Sequence, residues 1–264
     1  MQIGITQLIA PDMSLAQFFS VAANAGYEVV ELAPRREGEL TPETSADDLQ
    51  AIVQQARDAN LRIVSMCHSH VTGNLLANGE ARRHGIDQTI EGLQLADRLG
   101  VGCTLHTLGR LSPEVSYDQA YGNAVTSLRE IAPVADKLKI DLAIEFVWNG
   151  FAFSPLEMKQ LIEDVASPRV GFYFDPGNMA VFHYPQHWAR LLGPHIKMVH
   201  MKDWQGRPLN GGWTPLLEGD IDFLAVMREL RAAGYDGPLI SEVSPNDATL
   251  EQTAQAIRRI ATMG

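Results

Sequence analysis

Residues 170–178 read VGFYFDPGN. An apolar run climbs to a single carboxylate, Asp175, and the chain then breaks at Pro176 and Gly177. A short aromatic and β-branched run bounded by turn residues predicts a buried strand, here with Asp175 at its tip. The same shape recurs three times. DLAIEFVWN (141–149) lifts Glu145, IKMVHMKD (196–203) lifts His200, and PLISEVSPN (238–246) lifts Glu242. Each of these strands delivers a group able to bind a metal or move a proton.

Four more runs of the same kind precede them: QIGITQL (2–8), EVVELA (28–33), LRIVSMCHS (61–69) and VGCTLHTL (101–108). Amphipathic segments lie between the strands. In SADDLQAIVQQARDAN (45–60), Leu49, Ile52, Val53 and Ala56 recur at helical spacing, with Ser45 placed to cap and Asn60 to stop the helix. Helices are likewise predicted over 80–100, 220–233 and 246–263. Near-continuous apolar strands alternating with helices imply parallel pairing, because crossover helices then cover the sheet faces. Eight βα units in about 250 residues predict an α/β fold, a (β/α)8 TIM barrel forming a single domain over 1–264. An open doubly wound sheet would carry a Gly-rich turn after its first strand, and ITQLIAPDMS (5–14) has none. The stretch WQGRPLNGGWTPLLEG (204–219) shows neither period and is expected to be a long functional loop.

Composition narrows the partners. A formal net charge of -11 with no basic run argues against nucleic-acid backbones, and more weakly against an anionic membrane surface. The start MQIGITQLIAPDMS has no cationic leader, and no apolar run reaches about 18 residues. Only two cysteines are present, Cys67 and Cys103, neither in a CxxC. A cytoplasmic protein without disulfides is therefore expected, its cysteines packed inside apolar runs.

In a βα barrel the active site lies at the C-terminal ends of the strands. Glu145, Asp175, His200 and Glu242 end the fifth to eighth predicted strands, so their tips share one side of the mouth. Alone, each reads equally well as a loop-start charge, and Asp-Pro-Gly is a common turn. Together, three carboxylates and an imidazole repel one another unless a cation joins them. A divalent metal leaves a formal charge near -1. Oxygen-rich ligation with one imidazole points first to Mn²⁺, with Mg²⁺, Co²⁺ or Zn²⁺ as alternatives. Further candidates lie nearby: His68 and His70 after the third strand, His106 closing the fourth, Glu31 on the second, and Lys202 after His200. Asp203 reads as structural. Trp148, Phe151, Phe153 and Trp213 read as core or as an apolar pocket wall.

The order Glu, Asp, His, Glu carried by AIEFV, FDPGN, VHMKD and ISEV, with AGYEVVEL (25–32) and EGDIDF (218–223), resembles the xylose-isomerase-like barrels. These are sugar and sugar-phosphate isomerases and epimerases. The resemblance implies a small carbohydrate substrate, a homodimer or homotetramer, and one divalent ion held by Glu145, Asp175, His200 and Glu242. In the ketose 3-epimerase branch, the two glutamates face opposite sides of the substrate. One removes a proton beside the carbonyl, and the other returns it to the opposite face through a metal-stabilised enediolate. Glu145 and Glu242 match those roles. Tagatose 3-epimerases carry a histidine where this chain has Asn178, and an arginine where it has Gly206 followed by Arg207. Asn178 and Arg207 are expected to meet the substrate instead, together with His68, His106 and Lys202. A lyase or dehydratase acting on a keto-sugar, keto-inositol or 3-keto-glycoside would use the same metal and bases. Apurinic endonucleases fit less well, since they need further histidines near Asn178 and in the loop 204–219, which has none.

Overall fold

All eight apolar runs form strands in the computed structural model, which describes residues 1–264. In chain order these are β1 (Ile3–Thr6), β2 (Val29–Leu32), β3 (Arg62–Cys67), β4 (Cys103–His106), β5 (Asp141–Glu145), β6 (Val170–Phe174) and β7 (Ile196–Met201). An antiparallel hairpin follows, β8 (Asp203–Arg207) with β9 (Asn210–Thr214), and then β10 (Leu239–Ser241). The ring closes in the order β1-β10-β7-β6-β5-β4-β3-β2, with parallel neighbours. The TIM barrel expected from the sequence is thus present.

Nine α-helices accompany the strands: α1 (Leu15–Asn24), α2 (Ala46–Asp58), α3 (Gly79–Leu99), α4 (Tyr117–Leu138), α5 (Pro155–Val165), α6 (Pro176–Ala180), α7 (Pro185–Leu192), α8 (Phe223–Ala232) and α9 (Leu250–Ala261). Ser45 caps α2, its side chain accepting from the Asp48 N–H, and Asn60 takes the left-handed conformation just past the end. No helix is long and apolar enough to cross a membrane.

Strand alternation divides the apolar residues into two cores. Cys67, Cys103, Leu105, Ala143, Tyr173 and Met198 belong to a small cluster inside the barrel. The larger core lies between barrel and helices. In β6 this puts Tyr173 inside while Phe172 and Phe174 face outward, the Phe172 ring stacking on Trp188 of α7 at 5.9 Å. Both cysteines are free and packed in the inner cluster.

The stretch 204–219 departs from expectation, because 204–214 is ordered as the β8–β9 hairpin. Trp204 pairs with Trp213 across the two strands, their rings edge to face at 5.1 Å. The glycines that disguise this segment as a loop are what let the ribbon form. A Cβ on Gly206, which sits at φ 102°, would lie 2.6 Å from the Asn210 carbonyl oxygen, and one on Gly211 would lie 2.5 Å from that of Gln205.

A similar close approach sets the spacing of β6 and β7, the strands that carry Asp175 and His200. A Cβ at Gly171 would sit 2.5 Å from the His195 carbonyl oxygen and 2.6 Å from Lys197 Cγ. Gly171→Val is expected to destabilise the barrel by about 1–3 kcal/mol, measured as a lower urea midpoint. An unchanged midpoint would show that β7 is not packed as described.

Candidate active site

Glu145 is the last residue of β5, Asp175 follows β6, His200 is next to last in β7, and Glu242 follows β10. In the ring β10, β7, β6 and β5 are consecutive. The four side chains meet at the C-terminal mouth, each offering one ligand-type atom, and these atoms lie within 4.8 Å of one another. Asp175 and His200 are fully buried, and Glu145 nearly so. Local structure fixes Asp175: it caps α6, its Oδ1 accepting from the Gly177 and Asn178 N–H groups at 2.8 and 3.3 Å. Its other oxygen, Oδ2, is left to face the cluster.

His200 is oriented from behind. Its Nε2 lies 2.9 Å from Glu31 Oε1, and its Nδ1 faces Glu145 Oε1 at 3.3 Å and Glu242 Oε2 at 2.9 Å. Glu31 is itself buried on β2 and held by Thr6 Oγ1 (2.8 Å), Ser65 Oγ (2.8 Å) and the Tyr173 hydroxyl (2.6 Å), all donating to it. Burial works against the Glu31 charge, but His200, Tyr173 and Ser65 outweigh it and hold the carboxyl below its usual range. Burial likewise opposes a charge on His200, and Glu31 and Glu242 reverse the balance, leaving its pKa well above the ordinary value.

Lys202 adds a cation. Its Nζ lies 2.7 Å from Asp175 Oδ2 and 2.9 Å from Glu242 Oε2, and 5.1 Å from the centre of the Trp213 ring. Both carboxylate oxygens are buried and lack a well-directed hydrogen-bond donor, so these contacts act through charge rather than aligned hydrogen bonds. Asn178 donates from Nδ2 to Glu145 Oε1 (3.3 Å) and to the Phe146 carbonyl (3.1 Å). The two glutamates differ in environment. Burial lifts Glu145 to about 7 against the pull of His200, whereas Lys202 and His200 overcome the burial of Glu242 and hold it below the usual range. A cavity of about 350 Å³ opens onto Lys202 and Glu242, walled in part by Trp213.

Acidic and imidazole groups gathered at the C-terminal mouth of a closed parallel barrel define the architecture of a TIM-barrel enzyme. The chain belongs to the family described as xylose isomerase-like TIM barrel, whose model matches residues 19–260. It is 24% identical over 236 residues to the L-ribulose-5-phosphate 3-epimerase UlaE of Shigella boydii, covering 84% of this chain and 80% of that one. Its fold is close to D-psicose 3-epimerase from Clostridium cellulolyticum H10, solved with D-tagatose, at a TM-score of 0.84, 16% identity and 99% coverage of both chains. It is also close to IOLI protein, solved with a zinc atom, at a TM-score of 0.80 and 16% identity over 98% of this chain and 96% of that one. At these identities the structural likeness is one of fold.

Not every residue picked out in the sequence joins the cluster. Asn178 and Lys202 do. His68 and His106 point outward to α3 instead. A Cβ on Gly92 of that helix would lie 2.6 Å from His68 Nδ1. His106 Nε2 lies 3.1 Å from the Thr89 hydroxyl, and its Nδ1 accepts from the Leu108 N–H at 2.8 Å. Arg207 ends β8 at the exposed tip of the hairpin and does not line the cavity at Glu242. Asp203 is structural, its carboxylate binding the N–H groups of Trp204, Leu217 and Gly219. Tyr173 was not anticipated, although its even spacing from Asp175 gives it the same inward face.

The two outward histidines make acid stability a test of this placement. Burial lowers His68 to about 3, with His106 adding to it, and burial lowers His106 to about 4, against an ordinary 6.5. The unfolded chain therefore takes up protons below 6.5 that the folded chain refuses. Their stabilisation is complete above that pH and drains as the pH falls toward 3. His106→Gln is expected to flatten the fall of the urea midpoint between pH 6.5 and 4. An unchanged slope would place His106 in contact with solvent or with an acidic partner.

Proposed function

We propose that the chain is a divalent-metal-dependent epimerase or isomerase of a small sugar, sugar phosphate or keto-polyol, working by proton transfer through an enediolate. The observation that carries this reading is the convergence of Glu145, Asp175, His200 and Glu242 within 4.8 Å at the mouth, with the imidazole pre-oriented by Glu31. The relatives named as ketose 3-epimerases support the substrate class.

The donor set suits a hard or borderline divalent ion. Three carboxylates and one nitrogen fit Mn²⁺ best, and no thiol is within the group. Asp175 Oδ2 and Glu242 Oε2 are buried without a directed donor, as metal-facing oxygens would be. With Lys202 present, a dication would bring the cluster close to neutrality. When bound, such an ion would polarise the substrate carbonyl and offset charge on the enediolate.

The remaining chemistry belongs to the chain. Glu145 and Glu242 rise from β5 and β10, with β6 and β7 between them, so their carboxylates address a substrate carbon from separate sides. One removes the proton beside the carbonyl, and the other delivers a proton to the opposite face. Asn178 holds Glu145 Oε1 in place, and Lys202 does the same for Glu242 Oε2. Lys202 also favours a second reading. Its ammonium, beside Glu242, could protonate a departing hydroxyl, so that the same deprotonation ends in loss of water.

Mn²⁺-loaded protein in deuterated water is expected to give an epimerised ketose carrying one deuterium at the inverted carbon. A product lighter by one water would favour elimination, and turnover without exchange would contradict the two-glutamate mechanism. Glu145→Gln and Glu242→Gln should each lower kcat by about 10²–10⁴-fold. Glu31→Gln should weaken Mn²⁺ binding by about 10–100-fold, read by calorimetry with the far-ultraviolet dichroism unchanged. Unaltered affinity in that variant would remove Glu31 from the account.

A further inference from the structure

The cavity beside Glu242 also constrains what a substrate can carry beyond its reacting carbons. One wall is apolar, formed by Leu8, Ile9, Val243 and the indole of Trp213. Trp148 backs that indole in a parallel stack, 5.4 Å between centres and 3° between planes, which holds it as a flat plate at the mouth. Trp213 keeps 40% of its surface exposed. With Lys202 Nζ 5.1 Å over its other face, the exposed edge of the indole is what meets the C–H groups of a sugar through apolar contact.

The polar side of the cavity is hostile to anions. Its only cation is Lys202, whose ammonium is already placed between Asp175 and Glu242. Glu242, Asp203 and Asp247 line the same space. Of the arginines near strand ends, neither Arg35, Arg36, Arg110 nor Arg207 lines it. Phosphate sites are commonly built from free backbone N–H groups at helix starts and tight turns. Here many of those groups are occupied by the chain itself. Asp175 takes the N–H of Gly177 and of Asn178, and Asp203 takes those of Trp204, Leu217 and Gly219. Ser244 and Gln252 take those of Asn246, Asp247 and Thr249. A phosphate dianion would lose water among carboxylates and find no free cation in return. Hydroxyl groups face no such cost, and Thr214 and Ser244 line the cavity as exchange partners.

We infer that the site takes an uncharged polyhydroxy ketone, lying with its apolar side against the edge of Trp213, and discriminates against its phosphate ester. This rests on the sugar-epimerase reading and selects between the two kinds of relative, one named for a phosphorylated ketose and one for a free one.

The test is calorimetric titration of the Mn²⁺-loaded protein with three pairs: L-ribulose, D-psicose and D-tagatose, each against its terminal phosphate ester. At least one free ketose should bind about tenfold or more tightly than its ester, and inorganic phosphate should not displace it. Trp213→Ala should weaken that binding by about tenfold with Mn²⁺ affinity unchanged, and Trp213→Phe should restore most of it. Equal or tighter binding of every ester, or no binding of any free ketose, overturns the inference. Proton exchange is read separately on the same samples. Binding without exchange would contradict the epimerase reading and leave this inference standing, and preferred exchange from an ester would contradict this inference alone.

Discussion

One buried carboxylate ties the barrel to its mouth. Glu31, on β2, accepts hydrogen bonds from Thr6 on β1, Ser65 on β3 and Tyr173 on β6, and faces His200 on β7. Five of the eight ring strands therefore meet at a single side chain that no solvent reaches. An unpartnered charge at that depth would be costly, and removing one partner of such a network is among the more damaging changes a core can suffer. The network settles which way the imidazole of His200 points, leaving Nδ1 toward the mouth. The site is built outward from this contact.

Above it, charge balance governs. Three carboxylates converge around one imidazole, and Lys202 adds an ammonium between Asp175 and Glu242. Consecutive parallel strands allow this convergence once the tips face inward, since β5, β6, β7 and β10 are neighbours that end at the same rim. The Asp175–Pro176–Gly177 turn then serves two purposes at once. It starts α6, with one oxygen of Asp175 as the cap, and it leaves the other oxygen for the cluster. Asn178, one residue further on, braces Glu145 from the side. Fold and site are thus specified by the same few residues.

The fold was legible because each strand is a dense apolar run with a turn at its end, a signal that survives without any tertiary information. The four rim residues were legible for the same reason, being the polar residues at strand tips. Side-chain facing was harder to see. His68 follows its strand and His106 closes one, yet each is one step out of phase with Cys67 or Leu105, which pack inside the barrel. Counting by two from those interior residues would have sent both histidines outward to α3, and would have brought Tyr173 inward beside Asp175. The β8–β9 hairpin was hidden for a different reason. Gly206, Pro208, Gly211 and Gly212 read as loop, and only the strand pairing shows why the ribbon needs glycine at 206 and 211. Lys202 was visible by position, but its bridge between Asp175 and Glu242 depends on reach across two strand ends, which no pattern encodes.

The central claim is that Glu145, Asp175, His200 and Glu242 form one divalent-metal site. It is tested most directly by anomalous diffraction at the manganese edge from crystals of the protein soaked in Mn²⁺. The account predicts a single strong peak per chain among the two glutamates, Asp175 Oδ2 and His200 Nδ1. A peak elsewhere, or none at a concentration that saturates the protein in solution, would contradict it.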